Sequence, residues 1–155
     1  MATGHMLTNR GKLLLMQGIW DDAAASIIKM GLVKVQGAAA DTAVEVADFN
    51  TVTDLVVTAG CTKCDFTNYV DKALVRSAAA EDDTNDRVNL DAGDIVWTAA
   101  GGATNNTIVG AYFYDATTDT NDTTRLLLSV DWFASGVTTN GGDFTYAIAD
   151  LYRAS

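Results

Sequence analysis

The stretch RLLLSVDWFASGVTTNGGDFTYAI, residues 125–148, decides the fold class of this chain. Two apolar segments flank a polar span that ends in Asn140, Gly141, Gly142 and Asp143. Asn and Gly tolerate the positive φ angles of a tight reversal, so the pattern predicts a β-hairpin that turns at these residues. The surrounding side chains are Thr, Ser, Ala and aromatic, which indicates a scaffold and not a reaction centre.

Composition favours the same class over the whole chain. A length of 155 residues is typical of one domain. Because the chain has no proline, its reversals must be made by Gly, Asn, Asp, Ser and Thr. Asp, which favours turns and caps over helices, supplies all the acids except Glu45 and Glu81. We therefore expect a mainly β fold: a single antiparallel β-sandwich or jelly-roll-like domain with a short N-terminal helix or arm.

Two regions are predicted, residues 1–23 as an N-terminal arm with a short helix and residues 24–155 as the sandwich domain. Apolar residues at helical spacing place the amphipathic helix within 7–20, with Thr8 or Asn9 as its cap. A long strand follows over 26–35. Residues 48–57 are ambiguous between a helix and an extended segment, and a short helix is favoured.

The remaining strands are predicted from short apolar runs between turn residues. They are Tyr69–Arg76, Arg87–Leu90, Asp94–Thr98, Thr107–Tyr114, Thr124–Phe133 and Phe144–Tyr152.

Charge is distributed unevenly along the chain. The formal net charge of −10 disfavours nucleic acid as a partner, because binding phosphates needs clustered Lys and Arg. Residues 1–20 nevertheless hold two cations and no acid. Either a short polar start happens to lack acids, or this segment docks on an acidic surface. On the second interpretation the partner-contact residues are Leu7, Arg10, Lys12, Leu14 and Trp20. No apolar run is long enough for a membrane span, so no membrane partner is expected.

Few residues could carry chemistry. The sole histidine, His5, lies near the terminus, so no triad with a histidine base is expected. Cys61-Thr62-Lys63-Cys64 has CxxC spacing, which leaves three possibilities: ordinary thiols, which are favoured, a local or intersubunit disulfide, and a metal or redox role. A zinc site would want four ligands, more than these two cysteines and a distant histidine supply.

Carboxylates and aromatic residues suggest two further sites, neither of which is favoured. Two Asp clusters could hold Ca²⁺, but they lack the glycine and terminal Glu of a calcium loop, and solvated acidic loops are preferred. A carbohydrate-stacking face is the alternative to core packing for the aromatic residues. We expect no catalytic residues, no cofactor and no metal. The clusters are Asp82, Asp83 and Asp86, and Asp115, Asp119 and Asp122.

An ordered series of short motifs resembles small virion proteins of tailed bacteriophages, of the head decoration, cement or minor structural kind. Only the order of the motifs, which covers nearly the whole chain, is specific, and the Cys61–Cys64 segment departs from it. The motifs are Leu7-Thr8-Asn9-Arg10-Gly11, Lys29–Val33, Asp94-Ile95-Val96-Trp97-Thr98, Gly110–Asp115 and Val137–Thr145.

The resemblance implies a structural protein on the outside of a phage capsid, made in the host cytoplasm. Its implied partners are the major capsid protein and copies of itself, with a trimer at local threefold positions as one arrangement. Two alternatives remain open. One is a tail or head–tail component such as an adaptor, tube or fibre protein, and the other is a carbohydrate-binding module or small hydrolase.

Overall fold

A computed structural model describes residues 4–22, 26–118, 120–149 and 151–154. The chain is mainly β, with antiparallel sheets and a short N-terminal helix, as predicted. The strands are β1 (Gly4–Leu7), β2 (Ile28–Val35), β3 (Thr62–Lys63), β4 (Lys72–Ala73), β5 (Ala80–Asp82), β6 (Arg87–Leu90), β7 (Ile95–Trp97), β8 (Thr107–Asp115), β9 (Leu127–Thr138), β10 (Phe144–Tyr146) and β11 (Tyr152–Ala154). The helices are α1 (Asn9–Met16) and α2 (Ala43–Ala47), with a 3₁₀ turn at Ala38–Ala40 and a π-helical turn at Asp54–Thr58.

The six-stranded main sheet has the order β1-β9-β8-β2-β3, and β4 pairs with β2 as well. Its centre is the hairpin of β8 and β9, the longest strands. Two smaller sheets complete the structure, β10 with β7 and β11-β6-β5. Every pairing in these sheets is antiparallel.

The main sheet is buried on both faces. Successive side chains of a strand point to opposite faces, and β8 accordingly divides its aromatics. Phe113 packs in a first hydrophobic cluster with Trp97 and Tyr152 of the small sheets, while Tyr112 and Tyr114 lie in a second cluster beneath α2 and the π-helical turn. The main and small sheets therefore pack in a sandwich-like arrangement across the first cluster, and α2 and the π-helical turn cover the opposite face.

Helix α1 lies tightly against β9. Thr8, one of the two predicted caps, is buried, and its hydroxyl accepts a hydrogen bond from the Gly11 amide at 2.7 Å and donates to the carbonyl oxygen of Leu127 at 2.7 Å. A Cβ on Gly11 would come within 2.0 Å of the carbonyl oxygen of Leu128, so only glycine permits this approach. The helix is shorter than predicted and ends at Met16.

The predicted arm is built into the fold over its described residues. Strand β1 pairs with β9 from Gly4↔Trp132 to Leu7↔Ser129, and Trp20 is a member of the first cluster. Residues 4–22 thus contribute to the main sheet and to its core, although the sequence suggested a separate segment.

The predicted hairpin at Asn140–Asp143 is wrong in its partners. Strand β9 continues to Thr138 and pairs with β8, whereas β10 leaves for a different sheet and pairs with β7. The Gly141 amide instead donates to the carbonyl oxygen of Ala100, and the Ala100 amide to that of Gly142, both at 2.8 Å. The turn therefore carries the chain from the main sheet to a small sheet. Local turn residues indicate where the chain reverses, but they do not indicate which strand the next segment pairs with.

Other boundaries differ by smaller amounts. The strands predicted at 26–35, 87–90, 94–98 and 107–114 are present within a few residues. The last predicted strand, 144–152, is divided between β10 and β11, and only Lys72–Ala73 of 69–76 is strand. Residues 54–57 of the ambiguous segment are helical and belong to the π-helical turn Asp54–Thr58. Strands β1, β3 and β5 and helix α2 were not predicted.

Candidate functional site

The two cysteines of the CxxC segment are separated by the main sheet. Cys61 belongs to the second hydrophobic cluster and Cys64 to the first, with β3 between them. Both are free and buried. Burial raises the pKa of the Cys61 thiol, and it raises the pKa of Cys64 to about 12. The spacing therefore brings no pair of sulfurs together for a disulfide or a shared metal, and both thiols stay protonated near neutral pH.

One carboxylate from each acidic cluster is paired with cationic groups of the chain. Asp82 accepts from Arg87 Nε at 2.9 Å, and Asp122 pairs with Lys63 and Arg125. Asp119 lies outside the described residues. Within the described ranges no group of three or more His, Cys, Asp or Glu is arranged to hold a metal ion.

His5 is a structural contact on β1. Its ring lies 5.1 Å from the ring of Tyr152 and 5.7 Å from that of Phe113, centroid to centroid. Loss of hydration lowers the pKa of His5, and its cross-strand partner Asp131 opposes that shift. The contacts of the ring are aromatic, so one side of it packs on the core while the residue as a whole stays exposed.

A cluster of three tyrosines around Asp71 joins the main sheet to the loop before β4. The Asp71 carboxylate accepts hydrogen bonds from the hydroxyls of Tyr69 at 2.7 Å, Tyr114 at 2.8 Å and Tyr112 at 3.2 Å. Burial is the main cause that raises the pKa of all three phenols, so they remain donors at neutral pH. The Tyr69 hydroxyl also accepts from the Leu32 amide at 2.7 Å. Because every hydroxyl already donates to Asp71, the cluster acts as a clamp on the loop.

The feature that best fits a binding site is an apolar groove of about 540 Å³ between α1 and the sheet of β5, β6 and β11. We call it the α1 groove. It is lined by Leu7, Lys12, Leu15, Met16, Gly18, Trp20, Asp21, Ala79, Val88, Leu90, Tyr152 and Arg153. Apolar walls with a few polar groups at the rim are typical of ligand and peptide sites.

The floor of the α1 groove is held in place by hydrogen bonds. The buried rings of Trp20 and Tyr152 meet edge to face, with centroids 5.7 Å apart. The Trp20 indole N–H donates to the carbonyl oxygen of Ser77 at 2.9 Å, and the Tyr152 hydroxyl shares a hydrogen bond with Ser129 Oγ at 2.7 Å. A preformed floor lowers the entropy lost when a partner binds.

The rim combines an exposed apolar side chain with an exposed cation. Met16 is 87% exposed, the largest value among the exposed large hydrophobic residues. Lys12 lies one turn before it and makes no ion pair within the part of the chain that the structure describes. Asp21, on the same rim, is tied to the opposite wall, because its carboxylate accepts from the Ala79 amide at 3.0 Å. The groove therefore offers apolar surface together with the exposed positive charge of Lys12, and Arg153 lies on the opposite wall.

Of the residues predicted to contact a partner, the structure brings three together in the α1 groove. Leu7, Lys12 and Trp20 line it, but Trp20 is 2% exposed and belongs to the core, so it forms the floor instead of a protruding contact. Leu14 lines a separate depression, and Arg10 is half-buried on α1 away from the groove.

The opposite wall was missed at the sequence level. Val88, Leu90 and Tyr152 were assigned to strands, but nothing in their local pattern ties them to α1, which lies more than 70 residues earlier. Met16 and Leu15 could have been found, since they continue the apolar spacing of the predicted helix.

Comparison with known protein families, with curated proteins and with solved structures finds no match to this chain. None of the helices in the described ranges has the length and apolar character needed to cross a membrane.

Proposed function

We propose that this protein is a structural component of a tailed-phage virion, which binds the outside of the capsid through the α1 groove and stabilises the assembled shell. The observation that carries the proposal is a preformed apolar groove beside an exposed cation, in a chain with a net charge of −10. The ordered motifs that resemble phage decoration and cement proteins also support the proposal.

Such a role needs affinity and copy number but no active site. A protein that binds the assembled shell more tightly than its dissociated subunits stabilises the shell by mass action. Repetition over a symmetric lattice multiplies that effect, and a cyclic oligomer would engage several capsid subunits at once. The partners proposed are the major capsid protein and other copies of this chain.

Aromatic burial argues against the carbohydrate-binding alternative. Sugar binding by stacking needs an aromatic face open to solvent. All three tryptophans are buried, and none of the tyrosines or phenylalanines is exposed.

A position in the tail would use the same groove on another partner, and labelling the protein in purified particles separates that position from the head.

The test compares two variants that place a charge on exposed apolar positions of different faces. Met16→Asp changes the groove rim, whereas Val44→Asp changes α2 at a position that is 77% exposed, on the far side of the main sheet. Each protein is mixed with empty shells of the phage that carries its gene and sedimented. We expect wild type and V44D to cosediment and M16D to remain in solution. Wild-type protein that stays in solution would overturn the proposal.

A further inference from the structure

We infer that the α1 groove takes a short amphipathic segment of the partner, which inserts two apolar side chains and places a carboxylate beside Lys12. This inference rests on the proposed function and adds the chemistry of the partner. Its two elements are the shape of the groove and the charge on its rim.

The size of the groove limits the occupant to a few side chains. A volume of about 540 Å³ falls in the range of small-ligand pockets. The groove can therefore admit side chains from one face of a helix but not the helix itself. On α1 the lining residues Lys12, Leu15 and Met16 span a single turn, about 6 Å along the axis. A segment that uses apolar anchors three or four residues apart, the usual spacing of a peptide bound as a helix, matches that length.

Rigidity makes the groove suited to a fixed occupant. Trp20 and Tyr152 each form a hydrogen bond outside the groove, so their rings are held before any partner arrives. The hydrogen bond from the Ala79 amide to Asp21 ties the loop that follows α1 to the opposite wall. Apolar side chains that enter this space require little rearrangement of the protein, so little of the binding free energy from burying their surface is lost.

Charge selects an acidic segment. The groove is lined by two cations, Lys12 and Arg153, and by one carboxylate, Asp21, which also accepts from the Ala79 amide, so its lining carries a net positive charge. Lys12 is exposed and has no ion pair in the described ranges. By contrast, Lys34 and Lys63 pair with Asp65 and Asp122. An exposed ion pair adds little affinity but discriminates between partners, because like charges at the same position repel. A carboxylate close to the apolar anchors is therefore preferred over an ammonium group.

Three synthetic helical peptides test the two elements separately by fluorescence anisotropy with the full-length protein. The first carries Leu at positions i and i+4 with flanking Glu, the second replaces Glu by Lys, and the third replaces both Leu by Ala. We expect the first to bind most tightly, and loss of both Leu to weaken binding by at least about tenfold. The Lys peptide should bind several-fold more weakly than the Glu peptide, with a smaller difference at high salt.

Charge reversal gives the decisive measurement. In Lys12→Glu the preference should invert, so that the Lys peptide binds more tightly than the Glu peptide, while Val44→Asp should rank the peptides as wild type does. An unchanged ranking in K12E, equal binding of the Ala peptide, or binding of no peptide to wild type would overturn the inference. If wild type then still cosediments with shells, the proposed function stands and only the identity of the occupant falls. Thermal melts check that K12E is folded.

Discussion

The ring of Tyr112 on β8 lies directly over Gly31, its partner on β2, so closely that a Cβ on Gly31 would come within 2.2 Å of Tyr112 Cζ. The bare backbone lets the phenol cross β2 and reach Asp71, which it meets at 3.2 Å. The missing side chain of Gly31 therefore leaves room for Tyr112 to join the core of the main sheet to Asp71, on the loop before β4.

Replacing Gly31 by Ala should destabilise the fold by about 1–3 kcal/mol, because the buried Tyr112 ring must shift. Urea unfolding measures the loss. Gly93→Ala is the matched control, since the nearest atom to its added Cβ lies 3.9 Å away. Equal midpoints for the two variants would show that Tyr112 does not occupy this position.

Removing the cap of α1 should cost more than removing the cap of α2. Thr8 is buried and its hydroxyl also donates to Leu127, so we expect Thr8→Ala to cost about 2 kcal/mol. Thr42 caps α2 in an exposed capping box, and Thr42→Ala should cost about 0.5–1 kcal/mol. Denaturant midpoints of the two variants test the order, and a larger loss in T42A would contradict it.

The two adjacent glycines of the 140–143 turn should differ in their tolerance of a β-branched side chain. Gly141 has a φ of +91°, whereas Gly142 has no positive φ. Gly141→Val should therefore lower stability by at least about 1 kcal/mol, and Gly142→Val by less. Melting temperatures measured by circular dichroism provide the comparison. An unchanged melting temperature for G141V would mean that the turn is made elsewhere.

Both cysteines should be unreactive in the native protein. Cys61 and Cys64 are 3% and 4% exposed, and burial keeps their thiols protonated. A thiol-specific chromogenic reagent should report almost no reaction before unfolding and two thiols in denaturant. Fewer than two thiols in the non-reduced, denatured protein would reveal a disulfide, and rapid native reaction would contradict burial.

Mild acid should weaken the fold through His5. The loss of hydration where the ring packs on Tyr152 and Phe113 lowers the pKa of His5 below its ordinary 6.5, so the unfolded chain binds the proton more readily. Because the residue is exposed on β1, the effect on stability is small. The stability from the neutral ring is present above pH 6.5 and is lost as the pH falls through the lower, folded-state pKa. Unfolding midpoints at about pH 7.5 and about pH 5.5 should differ more in wild type than in His5→Gln. The same pH dependence in both proteins would assign the effect to carboxylates.

Several elements could be predicted because their signals are local. The apolar runs of β2 and β8, the cap at Thr8 and the positive φ at Gly141 all depend on residues within a few positions of one another. The pairing of β10 with β7 could not be predicted, since Phe144 and Trp97 are distant in sequence and many strands share the same turn and strand vocabulary.

Sequence alone determined the class of this protein: antiparallel β-structure with turns of Gly, Asn and Asp, an acidic chain and an acid-free first segment. Tertiary structure decided what those segments do. It placed Cys61 and Cys64 in separate clusters, turned Trp20 into the floor of a groove and supplied the opposite wall from Val88, Leu90 and Tyr152. The reason is that periodicity specifies which side of a strand or helix is apolar, whereas only packing in three dimensions selects the surface that covers it.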